Sequence, residues 1–178
     1  MSGLVPWSAT GSHTAPPRSV LWVVILPPFQ ALLDAHGRDV HRFLLATAGP
    51  GAAEDCFQET WLAALRAYPR LREASNLRGW LLTIAQRKAI DHVRIAKRIP
   101  MPVAAVPERA APSPPGLPDE PLWERVRELP PKQRTAVALR YVADASYTEI
   151  AEVMATSQEA ARRNVHEGLR RLRRELEP

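Results

Sequence analysis

The chain has 178 residues, with 24 Lys and Arg against 19 Asp and Glu, a net charge of +5 and a pI near 10.0. That length allows one medium domain or two small ones, and the basic balance favours an acidic partner. A single cysteine, Cys56, excludes an intramolecular disulfide and argues against a cysteine-based zinc site, in keeping with a reducing cytoplasm.

Residues 1–28 mix Gly, Ser, Thr and Pro without periodicity and read as a disordered N-terminal extension. Their apolar run at 20–26 is too short to span a bilayer, and no convincing cleavage site precedes Pro27 and Pro28. Neither membrane insertion nor a signal peptide is expected. A true translation start near Val23 or Val24, through valine initiator codons, would account for the extension.

Residues 29–99 are helical by pattern. Phe29, Leu32, Leu33, His36, Val40, Phe43 and Leu44 make an amphipathic stretch with an interruption expected near Gly37, and Gly49-Pro50-Gly51 breaks the chain. A second helix, from about Ala53 to Tyr68, places Phe57, Trp61, Leu65 and Tyr68 on one side for burial. Its other face, Asp55, Gln58, Glu59 and Leu62, is polar with one leucine. Such a face is usually just solvated, but it also suits docking against Arg or Lys around an apolar contact. After a loop to Asn76, a long helix from about Leu77 to Arg98 lines up Leu82, Ala85, Ala89 and Val93. Between Arg87 and Arg98 that helix carries five cations against Asp91, an excess that phosphate could use. The bland alternative is Asp91 bridging Arg87 and Arg94 at the surface. Just before it, the 72–76 loop and Trp80 offer groups suited to an unstacked base.

Residues 100–118 contain seven prolines and read as a tether of polyproline II character. The last segment, 119–178, balances eleven Lys and Arg with eleven Asp and Glu, so any attraction to phosphate there is local. It is expected to begin near Leu122, turn at Pro130-Pro131 and run a helix through Arg134 to Val142. Ser146 and Glu149 then form a capping box, with Tyr147, Ile150, Ala151 and Met154 at helical spacing. Ser157 caps a further helix, leaving only Ala155 and Thr156 as the turn. In that helix Ala161, Val165, Leu169, Leu172 and Leu176 make an apolar stripe beside Arg162, His166, Arg170 and Arg173. A solvated arginine-rich helix is the alternative. The tight turn and the preceding short helix favour a DNA-reading helix-turn-helix.

With no strand alternation, the expected fold is all-α: two small helical domains joined by a proline-rich linker. The expected bounds are an extension at 1–28, domains at 29–99 and 121–178, and the linker at 100–120. The five histidines are scattered and no glycine loop cradles phosphate, so enzyme chemistry, cofactors and metals are not expected.

Three stretches carry a family resemblance. AEDCFQETWLAALRAY resembles the region 2 helix of sigma-70 family factors that docks on the clamp of the polymerase largest subunit. LRGWLLTIAQRKAIDHVR resembles the following helix, which handles the −10 element. LPPKQRTAVALRYVADASYTEIAEVMATSQEAARRNVHEGLRRLR resembles region 4, which reads the −35 element and contacts the β-flap. The order of elements is that of the compact extracytoplasmic function (ECF) group, over about residues 29–98 and 121–176. The resemblance implies a non-catalytic specificity subunit whose partners are core RNA polymerase, through clamp and β-flap, and promoter DNA. It implies core-binding roles for Asp55, Gln58, Glu59 and Leu62, and −10 roles for Asn76, Trp80, Arg87, Lys88 and Arg94. Roles at −35 fall to Ser157, Arg162, Arg163, His166 and Arg170. It also makes an anti-sigma factor a candidate partner and implies a cytoplasmic protein, on the nucleoid in holoenzyme and at the membrane when an anti-sigma factor holds it there. The chain departs from the family where Ala155 replaces a frequent turn glycine, where Glu159-Ala160-Ala161 replace Gly-Thr-Val, and at Glu167, a place often basic. Two other readings are a stand-alone helix-turn-helix regulator and a sigma-like protein that sequesters a regulator.

Overall fold

The computed structural model describes residues 26–72, 75–98 and 117–176. The extension up to residue 25, with the expected start near Val23 or Val24, and the bulk of the proline-rich tether lie outside the described residues. Among the described residues there are seven α-helices, one 3-10 turn and no strand: α1 (Phe29–Ala48), α2 (Pro50–Ala67), the turn Tyr68–Arg70, α3 (Leu77–Arg98), α4 (Glu120–Glu128), α5 (Pro131–Tyr141), α6 (Tyr147–Val153) and α7 (Gln158–Leu176).

Helices α1, α2 and α3 pack against one another as one module. Val40, Phe43, Leu44, Leu81, Leu82 and Ala85 are almost completely buried at its centre. An aromatic cluster closes one part of it: Phe29 meets Trp61 edge-on at 5.7 Å and Tyr68 at 5.3 Å. Helix α1 runs through Gly37 without a break, because one helical glycine costs only about 1 kcal/mol, well below what its buried face returns. Nor does the Gly-Pro-Gly run break three residues. Only Gly49, at φ 86°, leaves the helical region, and Pro50 starts α2 where a missing N–H costs nothing. Leu65, expected inside, is 51% exposed, and with Leu62 at 52% it forms an apolar surface strip on α2. Cys56 is buried, its Sγ facing the Lys88 carbonyl; burial, then the Glu59 and Asp55 carboxylates, raise the thiol to about 11, so it is an inert packing group. Among the histidines, His41 is buried against Phe57, and His36 is held below its usual pKa by burial and by Arg78.

The second module packs α5 and α6 onto α7, with α4 against α5 and α7. Helix α4 starts at Glu120 and α5 at Pro131, the latter three residues earlier than the sequence pattern suggests, again through proline at the first turn. Gly168 lets α5 and α7 approach closely: a Cβ there would lie 2.8 Å from Val137 Cγ2.

The two modules pack against each other, α1 on α4 and α5, and α3 on α6. Much of the seam is arginine meeting helix C-termini. Helix α1 has no basic residue in its last turn, and the other module supplies two. Arg127 donates to the Leu45 carbonyl and Arg134 to the Thr47 carbonyl, each at 3.1 Å. Conversely Arg78 of α3 pairs with Asp39 at 2.9 Å and donates to the Ala143 carbonyl beyond α5. Cations at the negative ends of helix dipoles are favourable, and the carbonyls of a helix's last turn have acceptor capacity to spare.

Candidate nucleic-acid interface

The helix-turn-helix is built locally from the sequence. Ser146 accepts from the Glu149 amide at 3.2 Å while the Glu149 carboxylate accepts from the Ser146 amide at 2.8 Å, so the capping box forms. Donation to the carboxylate from the Ser146 backbone amide, then from the Ser146 hydroxyl, holds the Glu149 pKa below its ordinary value. At the other end of α6, the Thr156 amide bonds the Ala151 carbonyl and the Ala155 amide bonds that of Glu152. This is a Schellman arrangement, with Ala155 in the left-handed region at φ 49°. Ser157 then caps α7 by accepting from the Ala160 amide at 3.1 Å. Ile150, Ala151, Val153, Ala161 and Val165 are buried and lock the two helices together.

That packing turns the charged stripe of α7 outward. Arg162, Arg163, His166, Arg170 and Arg173 are exposed and line one open surface cavity together with Glu159, Glu167 and Leu169. The Arg162 guanidinium sits 5.2 Å from the Tyr147 ring centroid, which orients it; sequence spacing gave no sign of this pair across the turn. The Glu159 carboxyl is held below its usual range by its own backbone amide and the Ser157 hydroxyl. Glu167 is engaged by the Gln133 amide at 3.3 Å, so it braces α5 against α7.

In the first module, Asp55, Gln58, Glu59 and Leu62 all lie exposed along α2. Glu59 pairs with Lys88 of α3 at 3.0 Å, which joins a residue expected to meet polymerase with one expected to meet DNA. Arg87 and Arg94 are exposed on α3, and among the described residues Asp91 forms no ion pair with either. Asn76 is the N-cap of α3. Its Oδ1 accepts from the Gly79 amide at 2.8 Å, and its Nδ2 faces Glu152 of α6 at 3.4 Å. A Cβ at Gly79 would come within 2.5 Å of the Asn76 side-chain amide, so a larger residue there would displace the cap. Trp80 is partly buried, tilted against Tyr68 at 6.2 Å, so its ring belongs in large part to the core. The structure therefore gathers the α7 stripe into one face and the α2 residues into another. Arg87 and Arg94 lie exposed on α3, Lys88 is tied to the α2 face through Glu59, and Asn76 is turned toward the second module.

Among the described residues no group of three or more His, Cys, Asp or Glu gathers as a metal site, and no helix is long and apolar enough to cross a membrane.

Comparison with known proteins identifies both modules. Residues 32–99 match the sigma-70 region 2 family and residues 119–172 the sigma-70 region 4 family. RNA polymerase sigma factor CarQ of Myxococcus xanthus is 34% identical over 152 residues, spanning 82% of this chain and 87% of that one. ECF RNA polymerase sigma factor SigX of Bacillus subtilis is 28% identical over 162 residues, 84% of each. Among solved structures, the sigma factor RpoE in complex with the anti-sigma factor NepR from Bartonella quintana shares the fold at a TM-score of 0.66 and 21% identity. That match covers 83% of this chain and 96% of that one.

Proposed function

Because the chain belongs to the ECF group of the sigma-70 family, directing promoter recognition by RNA polymerase without catalysing a reaction itself, we propose how its surfaces divide that work. Region 4 is assigned to the −35 element. Its reader is the exposed face of α7, where Arg162, Arg163, His166 and Arg170 address base edges while Ser157 fixes the helix end. The convergence of these cations on one unobstructed face is the observation that carries this assignment.

Asp55, Gln58, Glu59 and Leu62 are assigned to the clamp of core polymerase; the exposed Leu65 extends the same strip. The −10 strand is assigned to Arg87, Lys88 and Arg94, with Asn76 and Trp80 receiving an extruded base. The apolar groove between α4, α5 and α7 is assigned to the β-flap; Leu122, Trp123, Tyr141 and Leu172 lie in its wall. The domain bounds proposed are 29–99 and 121–178, joined by the linker at 100–120 that spans the two promoter elements. A cytoplasmic location follows from this work, and the RpoE complex makes an anti-sigma factor a reasonable partner.

Two double variants test the division. Gln58→Ala with Glu59→Ala should weaken core binding by roughly tenfold while −35 duplex binding stays unchanged. Arg162→Ala with Arg163→Ala should do the reverse, each lost base contact costing about 1–3 kcal/mol. Parallel loss of both activities in either variant contradicts the assignment.

A further inference from the structure

We propose that Tyr147, braced by Arg140, is a positioning residue that fixes Arg162 as the chief base-reading side chain of α7. This role presupposes the −35 assignment of that helix and names which of its cations sets sequence preference.

Two guanidiniums meet the same ring. The Cζ of Arg162 lies 5.2 Å from the Tyr147 ring centroid and that of Arg140 lies 5.6 Å from it, both within cation–π range. The two differ in how their N–H donors are used. Arg140 donates to the Ala145 carbonyl at 3.1 Å and sits 3.7 Å from the Asp144 carboxylate, so it is anchored between α5 and α6. Arg162 is exposed, and among the described residues none of its donors is bonded and no carboxylate pairs with it. Glu159, one turn earlier on α7, would be its natural acidic partner. That carboxylate is turned instead to its own amide and to the Ser157 hydroxyl.

A ring attracts a guanidinium without using its hydrogen-bond donors, whereas a carboxylate would consume them. Tyr147 is half-buried against the core, so it is a fixed platform rather than a second mobile group. Arg162 therefore reaches the groove with its donor fork free for a guanine edge and with less rotamer freedom left to lose. Arg163, Arg170 and Arg173 have no such ring contact among the described residues.

The test is competition binding by holoenzyme, reconstituted from core polymerase and the full chain, on one promoter whose −35 element carries every single base-pair substitution. Arg162→Ala should flatten the preference by roughly tenfold at the positions this side chain reads. Tyr147→Leu should lower it by roughly fivefold at those same positions, the cost of ordering one long side chain at binding. Other positions and the salt dependence should stay as in the wild type, because no charge is lost. Tyr147→Phe keeps the ring and should keep the preference. Unchanged preference in Tyr147→Leu overturns the role, as does an equal loss at every position, which marks a merely structural part. A Tyr147→Phe variant as impaired as Tyr147→Leu overturns it too, since the hydroxyl would then be the group that matters. If Arg162→Ala alters no position, the −35 reading of α7 fails along with it; if Tyr147→Leu alone is silent, that reading stands.

Discussion

Ala155 holds a left-handed conformation that costs an L-residue about 1–2 kcal/mol and glycine almost nothing. Ala155→Gly should therefore stabilise the protein by about 1 kcal/mol in urea unfolding, less the entropy glycine gains when unfolded. A destabilised variant would mean that the alanine methyl has a packing role. The capping box at the other end of α6 makes a pH prediction. The folded pKa of Glu149 lies below its ordinary 4.5, so its contribution is complete above that value and fades as pH falls through the folded pKa. Ser146→Ala removes the Glu149 amide's partner, should cost about 1 kcal/mol at neutral pH, and should flatten the acid loss of stability. These caps were legible in the sequence because Ser, Glu and their spacing state the hydrogen bonds outright. Tyr147 under Arg162 was not, because its partner lies across a turn whose geometry had first to be known.

At the scale of elements, the stripe of α7 was legible for a different reason: an amphipathic helix records in its spacing which side will be covered. Spacing cannot say where the cover ends. Leu65 shares the expected inner side of α2 with Trp61, yet half its surface remains exposed. Glycine and proline misled in the same way, since Gly37 and Pro50 are tolerated for reasons that only position within the helix decides. The α5–α7 crossing gives a sharp test. Gly168→Ala brings a methyl to 2.8 Å from Val137, so overpacking should cost about 1–3 kcal/mol and tilt the recognition helix. Stability within 0.5 kcal/mol of wild type, read from urea midpoints, would show that α5 yields freely.

For the whole molecule, two tethered modules were expected, but not their packing against each other. Three of the bonds that join them run from arginine side chains to backbone carbonyls, which every residue carries, so no pattern of side chains announces them. The packing has a consequence for the proposed −10 reader: Asn76 must leave Glu152 before it can meet a base. Arg78→Ala removes both the Asp39 pair and the Ala143 bond, and should shift the equilibrium toward separated modules by roughly tenfold. Small-angle scattering should then show a larger radius of gyration than for the wild type, whereas equal radii would place the holding energy elsewhere.

The work assigned to this chain comes down to one act, the choice of a start point by a polymerase that cannot choose alone. Run-off transcription with purified core enzyme on genomic fragments reads it directly. Addition of this chain should yield discrete transcripts that vanish with Arg162→Ala and Arg163→Ala together. Transcripts no different from those of core alone would contradict it.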